Sequence, residues 1–461
     1  MGSHAPRRNS TRKWQAQDRH HIHPFSHHKK LNETGSRIIV GASDTYLKDS
    51  EGRVLLDGFA GLWCVNIGYG RKSMIDAAAR QMAELAYYNT FFHTSHPPAA
   101  ELSDLLAGIT PAQFNHVFFG QSGSDANDTI ARMVRIYWNL ERKPRKKAII
   151  SRVNAYHGST LAAASLGGMS FMQELADLPL PGFVHIRQPY WYGEGGDHSP
   201  EEFGILAARA LEDKILELGA ENVAAFIGEP IQGAGGVIIP PDSYWPEIQR
   251  ICRQYDVLLI ADEVICGFGR TGYWFASERF GIEADFMTLA KGLTSGYLPL
   301  SAVMVGDRAA AVLNETGEFN HGYTYSGHPV ACAVAIENIR ILREEKLIER
   351  VRESTGPYLA QRLAELRDHP LVGEVRSLGL IAAIEIAEDK TTRRPFGMEV
   401  DVGTICRNHC LDLGLVMRAM RGTMLLSPPL TWSTRHIDDF AAILREALDR
   451  THRDVQRLAT S

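Results

Sequence analysis

The 461-residue sequence has no long apolar run. None approaches the ~18 consecutive apolar residues of a membrane span, so no membrane partner is expected. Cysteine is scarce: Cys64, Cys252, Cys266, Cys332, Cys406 and Cys410 are the whole set, and no two are spaced C-x-x-C. That argues against a disulfide framework and against a zinc site, and it points to reduced thiols in a cytoplasmic protein. Cys406 and Cys410 lie one helical turn apart, but no histidine pair completes a metal site, so no metal is expected. Neither sign of charge dominates; the formal net charge is -5. This speaks against nucleic acid or an anionic surface as the main partner. The first thirteen residues are basic and lack the apolar stretch of a secretory signal. They read as a short basic tail, or as a remnant of added sequence at Gly2-Ser3-His4. Internal repeats and low-complexity segments are absent. What remains is 44% hydrophobic and 22% charged, enough for a large core in two or three domains.

Residues 14–36 carry His20, His21, His23, His27 and His28 without ordered ligand spacing. They read as a solvated, extended arm rather than a metal tract, with Pro24-Phe25 able to pack inward. Residues 37–60 alternate apolar and polar between turn signals, which predicts a small antiparallel meander. A helix is expected from Ser73 to Leu85. The segment YYNTFFHTSHPP that ends it has rings either to bury or to line a pocket. From Asn115 onward strands and helices alternate. The runs NHVFFG, KKAIISRV, FVHIRQP, NVAAFIGEP, VLLIADEV, FMTLAKG and SAVMVGD predict an α/β fold with a mostly parallel, seven-stranded sheet. After Pro329 the pattern changes to a smaller α+β lobe, with helices over Val330–Glu344, Glu349–Arg367 and Arg435–Arg450. The expected division is residues 1–70 as an N-terminal arm and small-domain segment, 71–329 as the large domain, and 330–461 as the C-terminal small domain.

Two charges stand where charge is not expected. Asp262 ends the apolar run from Val257, and Lys291 ends the run from Phe286. Strands buried on both faces bind ligands beyond their carboxyl ends, so a carboxylate and an amine are aimed at one crevice. Gln121-Ser122-Gly123-Ser124-Asp125 follows a strand and opens a helix, where free N–H groups bind phosphate. Plain N-capping by Ser122 or Ser124 explains the same residues equally well. Tyr156 and His157 follow another strand and offer a ring to stack on a flat ligand; a buried core histidine is the ordinary alternative. Gly267-Phe268-Gly269-Arg270-Thr271-Gly272 matches G-x-G-x-x-G, but it begins five residues beyond Asp262 and reads as a tight loop rather than a dinucleotide site. Lys291 decides among these readings. A lysine in a dry crevice has a lowered pKa and can act as a nucleophile. An aldehyde cofactor with a phosphate and a basic ring nitrogen would use every group named, and pyridoxal phosphate is that cofactor.

With these residues in hand, the sequence resembles the class III, or omega, aminotransferases of the PLP fold-type I superfamily. The resemblance rests on SGSDAND, YHG, GEPIQGAGG, DEVICGFGRTG, AKGLTSGYLP and YTYSGHP, in the family's order, and runs from residue 14 to about 450. LWCVNIGYG, QPYWYGEGGD and AIENIRILREEK are similar to bacterial diamine and omega-amine:pyruvate aminotransferases. The resemblance implies ping-pong transfer of an amino group from a primary amine or a putrescine-like diamine to pyruvate, with β-alanine or taurine as the alternative donor. It implies Lys291 as Schiff-base lysine and general base, and Asp262 as partner of the ring nitrogen. Ser122, Gly123 and Ser124 would hold phosphate, Tyr156 and Val264 the ring faces, with His157 and Glu229 close to the cofactor. Thr324 would reach the phosphate of a partner subunit, which implies a homodimer with shared sites, or a tetramer of such dimers. Phe25, Leu62, Trp63, Phe91, Tyr156, Ala234 and Tyr323 match pocket positions, and Arg418 the mobile arginine that meets the keto acid. Two positions depart from the pattern: Asp125 stands for the usual Glu, and Arg421-Gly422 for a common Gly-Asp. Arg421 is either a second acid-binding arginine or a solvated surface residue.

Overall fold

A computed structural model describes residues 8–315 and 317–460. Its centre is one seven-stranded sheet. The strands run in the order Phe114–Gly120, Ser301–Gly306, Phe286–Leu289, Leu258–Asp262, Val223–Gly228, Ala148–Arg152 and Phe183–Ile186. Only Ser301–Gly306 runs against its two neighbours; the remaining pairs are parallel. Four of these strands are buried at every residue, which is why they read as unbroken apolar runs rather than alternating ones.

Two smaller sheets flank it. The meander Ile39–Ser43, Tyr46–Asp49 and Val54–Asp57 accepts Leu415–Val416 as a fourth, parallel strand, so the beginning and end of the chain share one sheet. Val372–Leu378, Ile381–Asp389, Thr423–Leu426 and Arg418–Met420 form the other, antiparallel throughout.

The glycine-rich loop joins these parts. Arg270, fully buried, donates to Leu380 O at 3.0 Å, to Asn66 Oδ1 at 2.8 Å and to Pro428 O. Asn66 returns a bond to Phe268 O at 2.9 Å. A Cβ on Gly379 would lie 2.6 Å from the carbonyl carbon of Thr271, so only glycine lets the two backbones meet. The loop is therefore a clasp between the large sheet and the C-terminal lobe.

Three expectations are corrected. Residues 1–7 of the expected basic tail lie outside the described residues, but Arg8–Asp18 is a helix, and His28–Thr34 is a second one. The arm is not extended because it has anchors: Thr11 Oγ1 donates to Ser50 Oγ at 2.8 Å and Gln15 Nε2 to Ser36 O at 2.9 Å. The helix expected over Glu349–Arg367 is interrupted by a π turn at Val351–Thr355. Pro357 has no N–H to offer the preceding turn, and the ladder shifts there. The closing helix runs on to Thr460, because its buried stripe continues through Thr451 and Val455.

Candidate active site

The central sheet ends in a cavity of about 330 Å³. Its wall is built from the ends of adjacent strands and the turns that follow them.

Asp262 is the last residue of its strand, buried, with its carboxylate in the cavity wall. Its Oδ2 accepts from Asn127 Nδ2 at 2.9 Å and from His157 Nδ1 at 2.8 Å; its Oδ1 accepts from Val264 N at 3.1 Å. His157 Nε2 is buried without a partner among the described residues. Three donors, with neither lysine nor arginine among them, leave Asp262 able to meet a cationic N–H from the cavity.

Lys291 follows the neighbouring strand and lines the same cavity. Its φ is +45°, the left-handed region, which costs a non-glycine residue about 1–3 kcal/mol. Burial holds its ammonium below the ordinary lysine value; the attraction of Asp262, Cys64 and Glu229 opposes that only in part. Burial therefore favours the free amine of Lys291, the nucleophilic form, more than for an ordinary exposed lysine.

The turn before the helix Gly123–Leu140 closes one end. Asp125 accepts from Gln121 N at 2.9 Å and from Ser122 N at 3.0 Å, while Ser122 Oγ accepts from Asp125 N at 3.3 Å. This capping box consumes three amides and leaves those of Gly123 and Ser124 as orphan donors facing the cavity. Capping and anion binding are thus both present, on different atoms of one turn. The shorter Asp125 completes the box and also accepts from Ser301 Oγ at 2.9 Å, so the departure from glutamate leaves the turn intact.

Tyr156, Val264 and Glu229 complete the wall. Glu229 is buried, with Oε1 accepting from Tyr156 N at 3.1 Å and Oε2 from Gly233 N at 2.9 Å. Burial raises its pKa; His157 opposes the rise and Asp262 adds to it.

The other expected site residues lie elsewhere. Phe25 is exposed and meets Tyr156 edge-on at 6.5 Å. Leu62 is exposed, Ala234 is buried, and Trp63 is packed 4.6 Å from Phe59 in an apolar cluster. None of these four lines the cavity. Arg418 is half-buried in its strand, with no ion pair among the described residues; burial lowers its pKa while nearby Tyr156 opposes. Arg421 is exposed on the next turn and lines a second cavity, of about 660 Å³, that Arg418 does not line. Phe91, Tyr323 and Thr324 lie outside the lining of the cavity. Phe91 lies under Gly322, Tyr323 Oη donates to Asp125 O at 3.1 Å, and Thr324 O accepts from Tyr87 Oη at 2.6 Å. Within one chain these three do not reach the cavity. The histidine-rich arm brings donor atoms of Asp18, His21 and His23 within 4.8 Å of one another, on the surface, where His23 Nε2 and Asp18 Oδ2 already pair at 2.8 Å.

Sequence reasoning missed Asn127, Thr288 and Arg152. Asn127 and Thr288 are polar residues on otherwise apolar, inward-facing positions, and that was a readable signal. Arg152 is fully buried between the rings of Tyr244 and Trp245 and donates to Glu229 O at 2.6 Å; nothing in its surroundings in the sequence announces it.

A strand-end carboxylate, a buried lysine and two orphan amides around one cavity define a group-transfer site of the aminotransferase type. The model of the class III aminotransferases matches residues 29–448, and the chain belongs to that family. A putrescine–pyruvate aminotransferase of Pseudomonas aeruginosa is 59% identical over 442 residues, covering 96% of this chain and 97% of that protein. A diaminobutyrate–2-oxoglutarate transaminase of Halomonas elongata is 42% identical, covering 93% of each. The structure of the omega transaminase from Pseudomonas jessenii in complex with PMP superposes with a TM-score of 0.93 at 42% identity, covering 96% of this chain and 99% of that one.

Proposed function

We propose that this enzyme transfers the amino group of a putrescine-like primary amine to pyruvate, with pyridoxal phosphate as its cofactor. One observation carries the reading: Asp262 and Lys291 face a single cavity that also presents the free amides of Gly123 and Ser124. The donor and acceptor are those in the name of the Pseudomonas aeruginosa relative, and a relative of the same fold binds PMP, the amino form of the cofactor.

The donor set fits the group. Gly123 and Ser124 would hold the phosphate, Asp262 Oδ1 the ring nitrogen and Lys291 Nζ the aldehyde carbon; Tyr156 and Val264 would flank the ring. Bound there, pyridoxal phosphate supplies a carbonyl that condenses with amines and a protonated ring that takes up the electron pair of a broken C–H bond. Lys291 Nζ, once the substrate amine has taken its place, would take the proton from the carbon bearing the nitrogen and deliver it to the former aldehyde carbon, and would run the same proton transfer in reverse with pyruvate. Asp262, anchored by three donors, would keep the ring nitrogen charged. Arg418, without a carboxylate partner of its own, meets the acid group of pyruvate.

The working unit is read as a homodimer, with residues 71–329 as the cofactor-binding domain of each protomer. Phe91, Tyr323 and Thr324 lie away from their own cavity, beside exposed Tyr88, Tyr325 and Phe92, the last 85% accessible. An apolar surface of this size on one chain suits a second copy. Six free cysteines suit a reducing, cytoplasmic setting. The test is a donor panel of putrescine, β-alanine and taurine against pyruvate, read as alanine formed. Putrescine should lead; preference for β-alanine or taurine would overturn the choice of donor.

A further inference from the structure

Asn127 sits in the first turns of the helix whose end holds the orphan amides, yet it neither caps that helix nor lines the cavity. It is 1% exposed, and its amide is fully used. Nδ2 donates to Asp262 Oδ2 at 2.9 Å and to His157 O at 2.7 Å, and Oδ1 accepts from Thr288 Oγ1 at 2.7 Å. The orientation is forced: reversing the amide would set its oxygen against two acceptors. Four elements meet at this one side chain. They are the phosphate-end helix, the loop that follows Arg152, the strand that ends at Asp262, and the strand of Thr288, three residues before Lys291.

The consequence falls on Asp262. Asn127 and His157 both donate to its Oδ2, so that oxygen is committed to the protein. Its Oδ1 receives only the Val264 amide and keeps capacity toward the cavity. We infer that Asn127 is a positioning residue, which selects the Asp262 oxygen presented to the cofactor ring and ties Asp262 to the strand that leads to Lys291. This rests on the pyridoxal phosphate reading above.

The test uses the holoenzyme and two variants. Asn127→Ala removes the whole hub. Thr288→Val removes one hydroxyl donor to it and leaves Asp262 untouched. The readout is the pH midpoint of the visible absorbance of the bound cofactor, which reports the proton on the Lys291 nitrogen. A positive ring nitrogen repels that proton and keeps the midpoint low. When Asp262 can turn away, the ring loses its charge and the midpoint rises. Asn127→Ala should raise it by about one pH unit, a tenfold change in the proton equilibrium, and Thr288→Val should raise it by less. A residue that served packing alone would lower the melting temperature and leave the midpoint in place, and that result overturns the inference. If Asn127→Ala does not fold, Thr288→Val decides in the same way. Absence of a visible, borohydride-reducible band in the unaltered enzyme would instead overturn the cofactor reading, and the inference with it. The band present, with both midpoints unmoved, would overturn the inference alone.

Discussion

Asp262 and Glu263 are consecutive carboxylates that serve opposite sides of one strand end. Asp262 faces the cavity, held by Asn127, His157 and the Val264 amide. Glu263 turns away and caps the short helix Ala276–Phe280, accepting from Ala276 N at 3.1 Å, from Ser277 N at 2.5 Å and from Ser277 Oγ at 2.6 Å. The period of a strand, two residues, separates chemistry from scaffold here.

Asp262→Asn keeps the shape and removes the charge that would hold the ring nitrogen. A charge-assisted hydrogen bond is worth about 1.5–3 kcal/mol, so kcat should fall by roughly 10- to 100-fold or more. Steady-state kinetics with putrescine and pyruvate check this. An unchanged kcat would remove Asp262 from the mechanism.

Glu263 gives a pH signature in stability rather than rate. Burial pushes its pKa up to about 7, against the bonds from Ser277 and Ala276 that lower it. The folded state therefore holds a proton that the unfolded chain releases near pH 4.5. Glu263 then contributes less stability as pH rises from about 4.5 to about 7, and its contribution is level beyond. Glu263→Gln should lose stability relative to the parent at pH 5 and recover part of that loss by pH 8. The difference is at most a few kcal/mol at about 1.4 kcal/mol per unit. Denaturant midpoints at the two pH values measure it. A loss that grows with pH would reverse the sign.

Arg418 should separate the two substrates. If Arg418 meets the pyruvate carboxylate as proposed, Arg418→Ala removes that cation, so KM for pyruvate should rise about tenfold or more, while KM for the diamine changes little. An equal effect on both would make Arg418 a packing residue. The structure sets Arg421 apart, in a different cavity, so Arg421→Ala should leave both values unchanged.

Much of this was legible because burial leaves a pattern. The doubly buried strands read as apolar runs, and a single charge at the end of such a run marked Asp262 and Lys291. Ser122 and Ser124, as candidate caps, marked the helix start; the structure gives the cap to Ser122 and pairs it with Asp125. What stayed hidden depends on contacts distant in the chain. Arg270 joins Asn66, Leu380 and Pro428, residues 110 to 204 positions away from it in the chain, and a glycine-rich loop alone does not show that. Asn127 and Thr288 did leave a trace, as polar residues on apolar faces, but their meaning needed the 2.7 Å bond between them. The arm of residues 14–36 looked extended because its polar helices are held by Ser50 and Ser36 rather than by an apolar stripe.

The most direct measurement is borohydride reduction of the holoenzyme followed by peptide mass analysis, with Lys291→Ala alongside. The expected result is a single phosphopyridoxyl adduct on the peptide carrying Lys291. The variant should show no adduct and no turnover while still binding the cofactor noncovalently. An adduct on another lysine, or turnover by Lys291→Ala, would contradict the assignment of this cavity as the active site.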